Sequence, residues 1–349
     1  MTKPFLNSIH LRSFVTALLT GRLREQGFWQ KVIIWLFKLV VLVFSGWYLY
    51  VHVIQNEKFK EIFTISESIL ENPLSIWLLT ACFAMTIMNW SIETLKWQFL
   101  LKRFAKISFP RAFAAILAGN AISLWTPNRV GEYVGRIIFL NPAVRVKSIF
   151  ATLAGGISQL IITLIMGTLG FVFYEKINNI PSLIQFAIGI SGLLFIGLLL
   201  FFYFHIRVVR GWFPVRNWTQ SIRRYLLVYR QYKRKELETV LFYSLSRYVV
   251  FSVQFYILLI FFGVHIPFIE SMMLIFVMFL VQTISPTTGL TELVVRGGTT
   301  LFLFQGFTNN TTAVLFASYG IWIINLLIPA LLGAVIFGFA RINKRLRNA

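Results

Sequence analysis

Six stretches of this chain stay apolar for about 20 residues or more, at about 32–54, 74–101, 148–174, 183–206, 237–262 and 312–338. A helix of that length crosses a hydrocarbon core of about 30 Å, and backbone in lipid must satisfy its own hydrogen bonds. The expected fold class is therefore an all-α polytopic membrane protein with about six spanning helices. Two further apolar regions, 111–140 and 268–306, are each broken near the middle by Pro, Gly and charge. The arms of the first, 111–126 and 130–140, are too short to span, since eleven helical residues reach only about 17 Å. Both regions are read as re-entrant hairpins, the first arm of the second, 268–285, being 18 residues long.

The chain carries 33 Lys and Arg against 12 acidic residues, a formal charge of +21, but only 13% of its residues are charged. Mean hydropathy is +0.74. Soluble domains carry about 25% charged residues, so the positive charge does not mark a soluble nucleic-acid binder. Its distribution sets orientation instead. Segments 1–31, 102–111, 141–147, 206–236 and 341–349 hold 24 of the 33 basic residues. The intervening segments on the opposite side hold only Lys58, Lys60 and Lys176. The positive-inside rule then puts both termini in the cytoplasm. Segment 1–31 reads as a cytoplasmic amphipathic stretch, 206–236 as a basic cytoplasmic loop and 341–349 as a basic tail.

The two broken regions repeat one another. Thr126-Pro127-Asn128-Arg129-Val130-Gly131-Glu132 is followed by Arg136, and Ser285-Pro286-Thr287-Thr288-Gly289-Leu290-Thr291-Glu292 by Arg296. Each has a hydroxyl residue, Pro, a turn with Gly, then Glu and Arg four apart. Pro127 and Pro286 are 159 residues apart, and the flanking apolar stretches recur at about that offset. Units 32–174 and 175–340 each hold three crossings and a hairpin. Three is odd, so the second unit is inverted, an architecture of transporters.

Charge at membrane depth costs about 2.5–3.5 kcal/mol per residue on insertion scales, so Arg129, Glu132, Arg136, Glu292 and Arg296 require partners or water. Two readings stand. The arginines and helix N-termini hold an anionic headgroup, most simply a phosphate, with the glutamates positioning them. Alternatively, each Glu–Arg pair is a salt bridge closing its hairpin. Pro127, Gly131, Pro286 and Gly289 shape the tips. Asn89, Glu93, Asn120, Gln159, Gln254, Gln282 and Asn325 are polar residues within apolar stretches, and Asn120 is added to the candidate binding set. Lys96 and Arg247 are expected to snorkel towards the interface.

Other chemistries are excluded by absence. All twelve acids are Glu and the chain has no Asp. That removes DxD nucleotide-sugar sites, Asp-rich metal sites, aspartyl-phosphate pumps and Ser-His-Asp triads. Cys82 is the single cysteine, His10, His52, His205 and His265 are dispersed, and HExxH, GxSxG and P-loop patterns are missing. No catalytic residue, metal or cofactor is expected.

The segment from Gly119 to Glu132, with Pro127, Arg129, Gly131, Glu132 and Arg136 at its centre, resembles the lysylphosphatidylglycerol synthase transmembrane-region family. That family includes the flippase domain of the bacterial multiple peptide resistance factor and its stand-alone relatives. A second, more degenerate family pattern is matched by Pro286, Gly289 and Glu292. The resemblance covers roughly 75–340. In full-length synthases this region moves aminoacylated phosphatidylglycerol outward, while a separate cytosolic domain makes it. Nothing like that domain follows Ala349, so the resemblance implies the translocating part alone. The expected function is a non-enzymatic lipid translocase of the cell (inner) membrane, acting on an anionic phospholipid or a polyprenyl-phosphate-linked lipid. The alternatives are a membrane-embedded lipid or glycan transferase, and a non-transporting partner of a cell-envelope biosynthesis enzyme.

Overall fold

The computed structural model describes residues 73–126, 129–177, 182–205, 227–285 and 289–346, together with Val43, Trp47 and Tyr50. The expected span 32–54 apart from those three residues, segment 1–31, most of the loop 206–236, and the turn prolines Pro127 and Pro286 lie outside the described residues. Every regular element among the described residues is helical. In chain order these are α1 (Leu74–Leu101), α2 (Phe109–Ser123), α3 (Gly131–Ile138), α4 (Arg145–Ile177) and α5 (Ser182–Phe204). They continue as α6 (Arg234–Phe261), α7 (Phe268–Ile284), α8 (Gly289–Phe304), α9 (Thr311–Trp322) and α10 (Ile328–Leu346). A π-helical turn, Ile323–Leu327, joins α9 to α10.

Among the described residues, four helical stretches are long and apolar enough to cross a membrane: Leu74–Leu101, Pro142–Phe173, Arg234–Phe261 and Thr311–Phe339. Their outward faces, and that of α5, carry Ile76, Trp77, Leu193, Leu194, Leu331 and Leu332, all more than half exposed. A soluble protein rarely tolerates so wide an apolar surface.

Local signals start several helices. Glu236 accepts from the Lys233 backbone N–H at 2.9 Å and closes the first turn of α6. Asn310 accepts from Ala313 N at 3.1 Å and caps α9. Pro110 occupies the first turn of α2, where the missing N–H is not needed. The Tyr232 hydroxyl, ahead of α6, donates to Leu100 O at 2.7 Å, and burial pushes its phenol pKa up.

α1 and α6 pack antiparallel: Cys82 meets Gln254, Glu93 meets Arg247, and Arg103 meets Glu236. The Arg103–Glu236 contact marks one end of the bundle. The first broken region forms a hairpin, α2 against α3, whose open end lies towards that contact. The second, α7 against α8, opens at the other end, where α6 finishes. Two apolar cores follow. One gathers Trp97, Leu100, Ala112 and Ile116 around the first hairpin. The other gathers Phe255, Leu258, Met278 and Phe304 around the second.

Glycine sets the closeness of the first hairpin. A Cβ on Gly135 would overlap the Gly119 backbone, and one on Gly131 would sit 2.5 Å from Ile122 O. A Cβ on Gly333 of α10 would overlap Leu117 O of α2. The second hairpin leans on α4 instead, where a Cβ on Gly170 would meet Met273 O at 2.6 Å.

Candidate functional site

The two hairpin tips meet between the two apolar cores. At the first tip, the Thr126 hydroxyl accepts from Gly131 N at 2.7 Å and caps α3. Arg129 has φ +55°, the left-handed region that costs a non-glycine residue about 1–2 kcal/mol. Its Nη2 donates to Glu292 Oε2 of the second tip at 3.3 Å. Glu292 also accepts from Arg296 Nη2, one helical turn on, at 3.1 Å. One carboxylate thus holds two guanidinium groups, from residues 163 positions apart and four apart.

A second charged cluster centres on Glu93 of α1. Its carboxylate meets Lys96 Nζ at 2.7 Å, Arg136 Nη2 at 2.9 Å and Arg247 Nη1 at 3.1 Å. Arg136 also pairs with Glu132 and lies over the Trp97 ring, 5.6 Å from its centroid. Lys96 and Arg136 are each only 2% exposed. Such charges are tolerated at this depth because each has partners within reach.

A chain of amides leads away from this cluster. Arg247 Nε donates to Asn89 Oδ1 at 3.0 Å, Asn89 Nδ2 to Asn325 Oδ1 at 3.1 Å, and Asn325 Nδ2 to Gln254 Oε1 at 2.7 Å. Gln254 Nε2 ends the chain on Cys82 O and Thr86 Oγ1. The π turn explains two further contacts. It takes the backbone out of the ordinary helical ladder, and Trp90 Nε1 donates to Asn325 O while Asn120 Nδ2 donates to Leu326 O, both at 3.1 Å.

A cavity of about 600 Å³ opens where the tips meet. Among the described residues, its charged lining is Arg129, Arg247 and Arg296 against the single carboxylate Glu292. Phe251, Phe279, Ile321 and Leu326 supply apolar wall. Several buried polar atoms of lining residues have no partner among the described residues: Arg296 Nε and Nη1, Gln282 Nε2, Trp322 Nε1, Tyr248 OH and Gln159 Oε1.

The sequence candidates therefore divide. Arg129, Glu292 and Arg296 come together at the cavity. The buried Arg136 and the part-exposed Glu132 pair behind it, and neither is among the lining residues. Asn120 is buried and spends its amide on the π turn, so it is a helix-to-helix tie. Gly131 and Gly289 open α3 and α8.

Two expectations are corrected. Lys96 does not snorkel: Glu93, one turn before it, holds its ammonium inside. Arg247 does not snorkel either; it bridges Glu93 and Asn89 and lines the cavity. Tyr248 and Trp322 were not legible as site residues, because an aromatic in an apolar run carries no sequence mark of an unpartnered polar atom. Among the described residues, no three His, Cys, Asp or Glu side chains stand close enough to share a metal ion.

The family model described as "Lysylphosphatidylglycerol synthase TM region" matches residues 35–333. No curated protein and no solved structure matches the chain.

Proposed function

This chain belongs to the lysylphosphatidylglycerol synthase transmembrane-region family, and from that premise we propose that it is a lipid translocase. It moves an anionic phospholipid or a polyprenyl-phosphate-linked lipid between the leaflets of the cell membrane. The family and the long apolar helices make it a multi-pass membrane protein with a lipid-related role. The observation that carries the finer reading is the cavity between the hairpin tips, where three guanidinium groups face one carboxylate.

Helix length supports this reading. α3 has 8 residues and α2 has 15, about 12 and 22 Å of rise, so neither arm crosses a core of about 30 Å. In the proposal the two hairpins enter from opposite faces as parts of two inverted repeats, and both termini are cytoplasmic. A headgroup crosses through the cavity between the tips while its acyl chains stay in lipid. Irregular backbone at the tips is tolerable because it lines a polar cavity. Arg129, Arg247 and Arg296 attract and orient the phosphate, and no catalytic residue, metal or cofactor is required.

Reconstituted vesicles carrying a fluorescent phosphatidylglycerol test this. The purified full chain should raise the rate at which inner-leaflet label becomes accessible to an impermeant quencher added outside, and Arg296→Gln should abolish the increase. A wild-type rate equal to that of protein-free vesicles overturns the proposal.

A further inference from the structure

The polar wall of the cavity is chemically one-sided. Arg296 Nε and Nη1, Gln282 Nε2 and Trp322 Nε1 are buried donors without a partner among the described residues, and the Tyr248 hydroxyl is also unpartnered. All four residues line the cavity. Arg296, Tyr248 and Trp322 are each more than nine-tenths buried. A buried polar group is normally hydrogen-bonded, and leaving a donor unmade costs its desolvation. These donors come from four elements: Tyr248 from α6, Gln282 from α7, Arg296 from α8 and Trp322 from α9. They line one cavity from four helices rather than from one helix end.

Negative charge is scarce on the wall, where the other acceptors are neutral hydroxyls, such as those of Ser123, Thr163 and Thr283, and amide oxygens. Glu292 is the only carboxylate among the described lining residues, and it already accepts from both Arg129 and Arg296. An unpartnered acceptor is left at Gln159 Oε1. Phosphate oxygens accept only, and a guanidinium matches them in a planar fork. An ammonium is the reverse case, with three donors and no acceptor. Inside this cavity it would face unpaired donors and three cations.

Resting on the translocase reading, we infer that Arg296, Tyr248, Gln282 and Trp322 form a phosphate seat that selects headgroups without a basic amine. The lipid named in the family's description carries a lysyl ester, and this seat discriminates against it. The selected chemistry is a phosphate flanked by hydroxyls or by nothing, as in phosphatidylglycerol or a polyprenyl phosphate.

Native mass spectrometry of the full chain tests the seat by binding alone. The probes are dioleoyl phosphatidylglycerol, its lysyl ester, dioleoyl phosphatidylcholine and undecaprenyl phosphate at equal concentration. Phosphatidylglycerol or undecaprenyl phosphate should be retained about tenfold more tightly than the lysyl ester, and whichever dominates identifies the source. Tyr248→Phe and Trp322→Phe, which keep the packing, should each weaken that retention about fivefold. Equal or tighter retention of the lysyl ester overturns the inference, as does unchanged binding in both variants or no retention of either phosphate lipid. Vesicle transport of the same lipids separates the two levels. Lysyl ester moved as fast as phosphatidylglycerol defeats the seat and leaves the translocase standing. The expected binding order with no lipid moved defeats the translocase and leaves the seat.

Discussion

In the first hairpin the arginine of the Glu-x3-Arg motif is sealed away. Arg136 is met by Glu132 from its own helix, by Glu93 from α1 and by the Trp97 ring. In the second hairpin the arginine at the same spacing has, among the described residues, only Glu292, which it shares with Arg129, and two of its nitrogens have no partner there beside the cavity. The spacing makes the local pair in both places. What stands across from it decides the task. α1 offers the first arginine a second carboxylate, and nothing among the described residues does so for the second. One motif becomes a clamp and the other a donor surface, so a repeat in sequence does not imply a repeat in role.

The packing of the hairpins differs in the same sense, and it offers the harshest way to break the comparison. Gly135→Ala and Gly333→Ala each press a Cβ onto backbone that has no side chain to move aside. Overpacking costs about 1–3 kcal/mol and more where the obstacle is rigid. Both variants should lose most monodisperse protein on size-exclusion chromatography. Normal recovery would show that the first hairpin is not held by that contact.

Exchanging the two arginines sharpens the contrast. Arg136→Ala empties a buried site beside Trp97, takes one of three cations from Glu93 and leaves the part-exposed Glu132 without its partner, and breaking a buried pair costs about 3–5 kcal/mol. Its melting temperature in detergent should fall steeply. Arg296→Gln leaves Glu292 with Arg129 and removes a buried guanidinium that already has two unpartnered nitrogens, so stability should fall less than in Arg136→Ala while lipid transport is lost. The opposite pattern, with a stable transport-dead Arg136 variant and an unfolded Arg296 variant, would invert the assignment of clamp and site.

Arg129→Gly is gentler. It relieves the φ of +55°, a gain of about 1 kcal/mol, and removes a half-exposed ion pair worth less than about 1 kcal/mol. Stability should hold or rise slightly while transport falls; a clear loss of stability would make the Arg129–Glu292 contact a structural lock. The smallest expected effect is at Gly156 of α4, where a Cβ meets nothing within 4 Å. Gly156→Ala should raise the unfolding midpoint by the equivalent of about 0.5–1 kcal/mol through helix propensity.

Helix positions were readable because long apolar runs in lipid have one regular solution. The run expected at 74–101 is helix Leu74–Leu101, and the hairpin arms expected at 111–126 and 268–285 are Phe109–Ser123 and Phe268–Ile284. The i, i+4 Glu–Arg neighbours were readable because helix geometry fixes them. The hub at Glu93 was not, because two of its three cations, Arg136 and Arg247, lie 43 and 154 residues downstream. The Arg129–Glu292 contact across the tips has the same origin, a tertiary approach that no local pattern encodes. Lys96 was misplaced because snorkelling assumes a free ammonium, whereas it is held by Glu93 in a buried cluster that Arg136 and Arg247 complete from other helices.

The π turn at Ile323–Leu327 has one more consequence, for the chain's tolerance of insertion and deletion. A π turn is an α-helix with one residue too many, and each residue turns a helix by about 100°. The π turn absorbs that extra residue, so the face α9 turns to α6 and α8 and the face by which Gly333 meets Leu117 stay in phase. Removing Ile323 would restore a regular ladder and leave α10 close to its present phase. Removing one residue of the regular ladder between Ile328 and Gly333 would instead turn Gly333 about 100° off the first hairpin and bring a larger side chain in. Within this helix the short stretch is therefore where the loss of one residue does the least harm.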